Sequence, residues 1–324
     1  MCTAVSWNRE CHYFGRNLDL EYAYQETVTI TPRNYPFKFR RMPNVNQHYA
    51  MIGMATVVES YPLYYEATNE MGLSMAGLNF PGLAYYSPPR PDKDNVASFE
   101  LIPWILGQCK SVVEAENLLQ QVNITNDAFS KDLTPTPLHW LISDKDCSLT
   151  LEVMTSGLHI HKNPVGVLTN SPPFDYHMYH LCSHMNLSPS QAQNRFSSGL
   201  ELTPYSNGMG SIGLPGDYSS ASRFVRACFV KLNSPVSASE DQDISQFFHI
   251  LSSVAMPRGA VLMPNGAFEI TRYSCCCNTD KGIYYYTTYD NSRITAVDLH
   301  GEDLSKDLVV TYPLRTAMDF YRQN

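Results

Sequence analysis

Residues 266–290, GAFEITRYSCCCNTDKGIYYYTTYD, read as two β-strands and the turn between them. On either side of Thr279-Asp280 run aromatic, β-branched and cysteine residues, the types that fill a half-buried pleated surface. Residues 293–299, RITAVDL, predict a further strand of the same antiparallel sheet. The N-terminal quarter has the same texture: TAVSW, HYFGRNL, ETVTITP, YAMIGMATVVES and PLYYEATNEMGLSMAGLNF follow one another, broken by Pro, Asn and Gly at turn-like intervals. Between these ends, residues 99–122 switch to helical spacing, with Ile105, Val112, Leu118 and Leu119 among the apolar positions and Pro103 near the start, and predict one long helix, straight or kinked. Residues 138–170 return to strands, with hairpin turns expected at Asp144-Lys145-Asp146 and at Asn163-Pro164. Further helices are predicted over 175–185, 220–232 and 244–254, each opened by a Ser or Asp able to cap it.

Strands, helix, strands, helices and strands, without regular βαβ alternation, predict an α+β fold of stacked antiparallel sheets covered by helices. No linker or internal repeat interrupts residues 1–324, which read as a single domain with 44% hydrophobic and 17% charged residues. The opening MCTAVSWNRECHYFGRN is polar by residue 8 and has no apolar export segment, and no stretch approaches membrane-spanning length, so the cytoplasm is the expected location. Nine cysteines, an odd number in such a chain, read as reduced thiols. A net charge of −8 argues against nucleic acid, and any anion must be recognised by locally placed arginines.

The most informative residue is Cys2. A small residue after the initiator permits removal of Met1, which leaves one residue holding both a thiol and a free α-amine. That amine titrates near working pH, so it can take the thiol proton as a histidine does elsewhere. Position alone does not decide the matter, since many proteins carry Cys there by chance. Three other patterns are set aside. His177, His180 and His184 share a helix face but lack the carboxylate of an HExxH site, so no metal is expected. Cys275, Cys276 and Cys277 alternate across a strand and cannot converge on one ion. Residues 208–213 match GxGxxG formally, but Pro215-Gly216 follows where a helix should run.

The blocks MCTAVSW, GRNLDLE, NEMGLSMAGLNFPG, FELIPWILGQC, PLHWLISDK, NPVGVLTNSP, GLPGDYSSASRFVRA, SQFFHILSSV and KGIYYYTTYDN resemble the choloylglycine hydrolase family over essentially the whole chain. That family belongs to the N-terminal nucleophile hydrolases. The resemblance implies a four-layer αββα sandwich, cleavage of a carboxamide bond, no cofactor, and a homotetramer in which residues 187–219 reach across an interface. It makes Cys2 the nucleophile and Arg16 the fixed positive charge that favours its thiolate. Asp19 would hold the α-amine, Asn79 and Asn170 would form the oxyanion hole, and Arg223 is the remaining polar active-site position. On a regular strand Arg16 and Asp19 face opposite sides, so a bend or bulge near Asn17 is expected if both are to reach Cys2. Within the family, Asn79 resembles the bile salt hydrolases, because penicillin V acylases carry an aromatic residue there. The implied substrates are glycine- or taurine-conjugated bile salts, held by Cys2, Arg16 and Asn79, with Leu18, Leu20 and residues 124–133 as candidates for the steroid pocket. A penicillin V acylase and a non-catalytic steroid-amide binder remain as alternatives.

Overall fold

The computed structural model describes residues 1–324. The chain opens with the hairpin β1 (Cys2–Asn8) and β2 (His12–Leu20), followed by β3 (Thr27–Thr31), β4 (Met51–Val58), β5 (Tyr61–Asn69) and β6 (Ser74–Asn79). Next come β7 (Asp94–Ala97), the helices α1 (Leu101–Gln108) and α2 (Val112–Leu119), and β8 (Val122–Thr125), which pairs in parallel with β7. Strands β9 (Leu138–Ser143), β10 (Ser148–Met154), β11 (Gly157–Lys162) and β12 (Val167–Leu168) precede α3 (Phe174–Leu181), α4 (Ser220–Leu232) and α5 (Glu240–Ser252). The chain ends in β13 (Val261–Leu262), β14 (Phe268–Asn278), β15 (Ile283–Thr288), β16 (Thr295–Asp298) and β17 (Val310–Pro313).

Two antiparallel sheets result. One has the order β12-β1-β2-β14-β15-β16, with β13 paired to β14, and the other runs β11-β10-β9-β6-β5-β4-β3-β17. Their facing sides share one core, in which Cys2, Ala4, Phe14 and Leu18 meet Ile52, Met54, Ala76 and Leu78. Strand alternation does the sorting: Cys275 and Cys277 enter this inter-sheet core, while Cys276 packs outward with Val5, Trp7 and Phe247 under α5. Helices α1 and α2 cover the other sheet through Leu101, Ile105, Ala115 and Leu119. The layers are therefore helix, sheet, sheet, helix. Strands β2 and β14 approach so closely at Gly15 that an added Cβ would lie 1.9 Å from the Cys275 carbonyl oxygen, so only glycine fits there.

The hairpin at 279–282 and the turn at 144–147 lie where the sequence places them. Three expectations need correction. The long helix over 99–122 is broken, because Cys109 is extended (ψ 140°) and Ser111 starts a new helix by accepting from the Glu114 N–H, while Asp144 Oδ2 accepts from Val112 N at 2.7 Å. Asn163-Pro164 is no hairpin turn: β11 lies in the second sheet and β12 in the first, and the Asn163 side chain holds the crossover by donating to Val167 O at 2.9 Å. Helix α5 starts at Glu240 rather than at residue 244, since Ser239 caps it and Glu240, Asp241 and Asp243 favour its positive end. Apart from the two antiparallel sheets, β7 and β8 form a small parallel pair.

Candidate active site

Register within the first hairpin sets out the site. Cys2 pairs with Leu18 and Ala4 with Arg16, so Cys2, Arg16 and Leu18 project toward the second sheet. Asn17 projects the other way, donating to Leu251 O of α5 at 2.8 Å. Asp19 follows Asn17, and its Oδ1 accepts from Thr271 Oγ1 at 2.6 Å while its Oδ2 is buried without a partner. The bulge expected near Asn17 is absent: β1 and β2 pair without a shift, and the irregularity sits on β14, between Thr271 and Tyr273. No bend is needed, because Cys2 ends its strand. Its thiol is reached from one face and its nitrogen from the other.

The polar groups converge there. Asn170 Oδ1 accepts from Cys2 N at 2.7 Å and from Arg223 Nη2 at 2.7 Å, and Asn170 Nδ2 donates to Asn79 O at 2.7 Å. Arg223, fully buried on α4, also donates from Nη1 to Cys2 O at 2.5 Å and to Thr3 Oγ1 at 2.7 Å. The Met1 carbonyl accepts from Asp19 N at 3.0 Å, and the Met1 amine donates to Asp19 O at 2.8 Å and pairs with Glu269. Burial holds that amine's pKa down; Cys2 and Asp19 oppose the shift, and Arg223 and Arg16 add to it, so all four groups act on one chain end. Burial likewise pushes the Asp19 carboxyl up, against the pull of Arg223.

Cys2, Arg16 and Asn79 open onto a cavity of about 510 Å³, in which 15 of 24 lining residues are hydrophobic, enough for a bulky apolar ligand with a few fixed polar contacts. Leu18 and Leu20 line it, and from residues 124–133 only Phe129, Asp132 and Leu133 do. Phe99, which opens the block FELIPWILGQC, adds to the apolar wall with Tyr22, Tyr24, Val58 and Leu63; no motif marks the last four, because they come from separate loops and strands. A second depression of about 570 Å³, lined by Arg226, Ser253, Met256 and Thr288 among others, contains neither Cys2 nor Arg16. Asn170 is not on the cavity wall; it is turned to the Cys2 nitrogen.

Sequence reasoning missed what stands behind these residues. His177, buried on α3, donates from Nε2 to Asn170 O at 2.9 Å, and burial lowers its pKa to about 4, so it serves as a neutral donor. His139 contacts Thr169 O at 2.8 Å and Glu152 Oε1 at 3.2 Å, and stacks on Phe80 at 4.3 Å. Beyond His177, His180 and His184 contact each other at 3.3 Å.

The sequence profile of linear amide C–N hydrolases of the choloylglycine hydrolase family matches residues 2–312. The chain belongs to this family. Among choloylglycine hydrolase relatives, the bile salt hydrolase/transferase of Lactiplantibacillus plantarum is 52% identical over 324 residues, the full length of both chains. The conjugated bile acid hydrolase of Lactobacillus gasseri is 38% identical, with 96% of this chain and all of the relative aligned. The crystal structure of a cysteine-to-alanine mutant of the conjugated bile acid hydrolase from Clostridium perfringens superposes with a TM-score of 0.93 at 34% identity over all of both chains. The four layers described above are thus the N-terminal nucleophile hydrolase fold of the choloylglycine hydrolases. No helix is long and apolar enough to cross a membrane.

Proposed function

We propose that this chain hydrolyses the amide bond of glycine- or taurine-conjugated bile salts, releasing bile acid and amino acid, with Cys2 as nucleophile after Met1 is removed. The observation that carries this is the placement of the Cys2 thiol beside Arg16 at the wall of a large apolar cavity, with the Cys2 nitrogen held by Asn170. The names of the full-length relatives support the same substrate class. In the proposed reaction the α-amine of Cys2 takes the thiol proton, and the thiolate attacks the amide carbonyl. Collapse of the tetrahedral intermediate breaks the C–N bond as the ammonium protonates the leaving amine. Water, deprotonated by the same amine, then cleaves the thioester and restores the thiol.

Asn79, on the cavity wall, is the proposed donor to the tetrahedral oxygen. Asn170, expected from the sequence to share that role, is proposed to hold the α-amine through Oδ1 while its Nδ2 fixes the Asn79 carbonyl. Asp19 and Arg223 would set the amine's charge and direction. Because Asn170 would hold the base, Asn170→Ala is expected to lower kcat on the order of 10²-fold, the scale of a misplaced catalytic group, with KM little changed. Steady-state kinetics with a glycine conjugate checks this, and a raised KM with intact kcat would assign Asn170 to substrate binding instead.

Asn79 is also the residue that favours conjugated bile salts over penicillin V. Purified protein offered glycine conjugates, taurine conjugates and penicillin V should turn over the conjugates at least about tenfold faster in kcat/KM. Preference for penicillin V would reverse the substrate reading, and binding without turnover by a chain lacking Met1 would reduce it to a steroid-amide binder. A homotetramer in the cytoplasm is proposed as well, supported by the exposure of Phe196 (82%) and Tyr205 (84%) within residues 187–219. Light scattering on the eluting protein reads the mass directly.

A further inference from the structure

Beside Arg16, between the two sheets, the structure buries a carboxylate that the reaction scheme does not use. Glu66 is 2% exposed. Its Oε2 accepts from Tyr273 Oη at 2.8 Å and lies 3.7 Å from Arg16 Nε, and its Oε1 accepts from Tyr284 Oη at 2.6 Å and from Cys275 Sγ at 3.5 Å. A β-bulge brings it there: Met54 pairs with Glu66 and Ala55 with Tyr64, which leaves Tyr65 unpaired. The Tyr65 carbonyl then accepts from Arg16 Nη1 at 3.1 Å, and Gly77 O accepts from the same nitrogen at 2.6 Å. Arg16 Nε reaches Asn17 O at 3.4 Å, and Nη2 alone is buried without a partner. One face of the guanidinium's hydrogen-bonding edge is thus fully committed, and the uncommitted nitrogen belongs to a residue that shares the cavity wall with Cys2.

We propose that Glu66 is a positioning residue for this reaction: its charge, 3.7 Å from Nε, helps orient an Arg16 guanidinium already bonded to three backbone carbonyls so that Nη2 serves the Cys2 thiolate, and that same negative charge limits how strongly Arg16 favours the thiolate. The proposal rests on the reading of Cys2 as nucleophile. Two hydroxyls, a thiol and a guanidinium converge on Glu66, an arrangement that satisfies the ionised form. Burial pushes its pKa up, and Arg16 and the three hydrogen bonds oppose that shift. Tyr273, Tyr284 and Cys275 are pushed well above their ordinary values by burial, so they stay neutral in any working range. The charges around Cys2 are then Arg16 and Glu66 on the inter-sheet side and Arg223, Asp19 and the chain-end amine on the other, and a change at Glu66 leaves the second group as it is.

The test is alkylation of Cys2 by iodoacetamide as a function of pH, followed by the mass of the N-terminal peptide so that exposed Cys147 and Cys182 do not interfere. In Glu66→Gln the counter-carboxylate is gone while Arg16 stays charged, so the midpoint of the profile should fall by about one pH unit, a roughly tenfold faster reaction at its acidic foot. Turnover should move oppositely, with kcat down about tenfold and KM within about twofold, because the guanidinium keeps its carbonyl partners but loses the ion pair that helps orient it. Glu66→Asp, which keeps the charge, should restore the midpoint. An unshifted or raised midpoint in a folded Glu66→Gln protein overturns the proposal. If that variant does not fold, Tyr284→Phe removes one donor, leaves Glu66 less fully charged, and should shift the midpoint the same way by a smaller amount; a superimposable profile overturns the proposal there. Activity surviving in Cys2→Ala would instead overturn the nucleophile reading beneath it.

Discussion

Cys2→Ala should fold like the parent chain and lose amide cleavage by on the order of 10⁴–10⁶ in kcat, the scale seen when an acyl-transfer nucleophile is removed. Loss of one sulfur from the inter-sheet core should cost about 1 kcal/mol, a small fraction of the stability of a domain this size. No other thiol can substitute. Cys275 lies in the same core but its sulfur is committed to Glu66, and Cys11, Cys147 and Cys182 do not line the cavity. The backbone contacts that arrange residue 2, from Asn170 Oδ1 to its nitrogen and from Arg223 Nη1 to its carbonyl, do not involve the thiol and remain in the variant. The variant should therefore still bind conjugates, and it offers a trap for them. Circular dichroism, a melting curve and a single-turnover assay separate the outcomes. Retained fold with wild-type turnover would remove Cys2 from the mechanism.

The layered fold was legible in the sequence because strand alternation and turn chemistry are local signals. The 279–282 hairpin and helix α4 show it: their ends are set by residues within one turn of them. The helix over 99–122 misled because its break is enforced from outside, by Asp144 of the β9–β10 turn accepting the Val112 N–H. Asn163-Pro164 misled for a related reason: a turn between adjacent strands and a crossover between sheets have the same local composition, and only the pairing of β12 with β1 separates them. At the site, the motif residues arrive together, but their division of labour was not readable. Asn170 looked like a donor to the substrate and is turned to the Cys2 nitrogen. Glu66 was hidden by its bulge, since simple alternation groups it with Tyr64, which faces α1 and α2, whereas the extra residue Tyr65 turns it toward Arg16.

Retention of Met1 should abolish hydrolysis even with the Cys2 thiol intact. With Met1 present the residue-2 nitrogen is an amide, which donates to Asn170 Oδ1 at 2.7 Å and cannot accept the thiol proton. Met1 does not disturb the fold: its carbonyl accepts from Asp19 N at 3.0 Å and its amine donates to Asp19 O at 2.8 Å, so it behaves as one more residue of β1 against β2. Its amine cannot replace that of Cys2, because it is drawn to the Asp19 carbonyl and to Glu269, one residue removed from the sulfur it would have to deprotonate. Asp19 Oδ2 is buried and without a partner beside this chain end, and in the proposed mechanism it would accept from the amine that processing creates on Cys2. Protein made while methionine aminopeptidase is inhibited should thus be heavier by one methionine residue, melt like the processed enzyme, and bind conjugates while cleaving none at any pH. Brief treatment with the aminopeptidase should restore turnover in proportion to the mass lost. If a preparation shown by intact mass to keep Met1 throughout cleaves glycine or taurine conjugates at the normal rate, the α-amine of Cys2 is not the base.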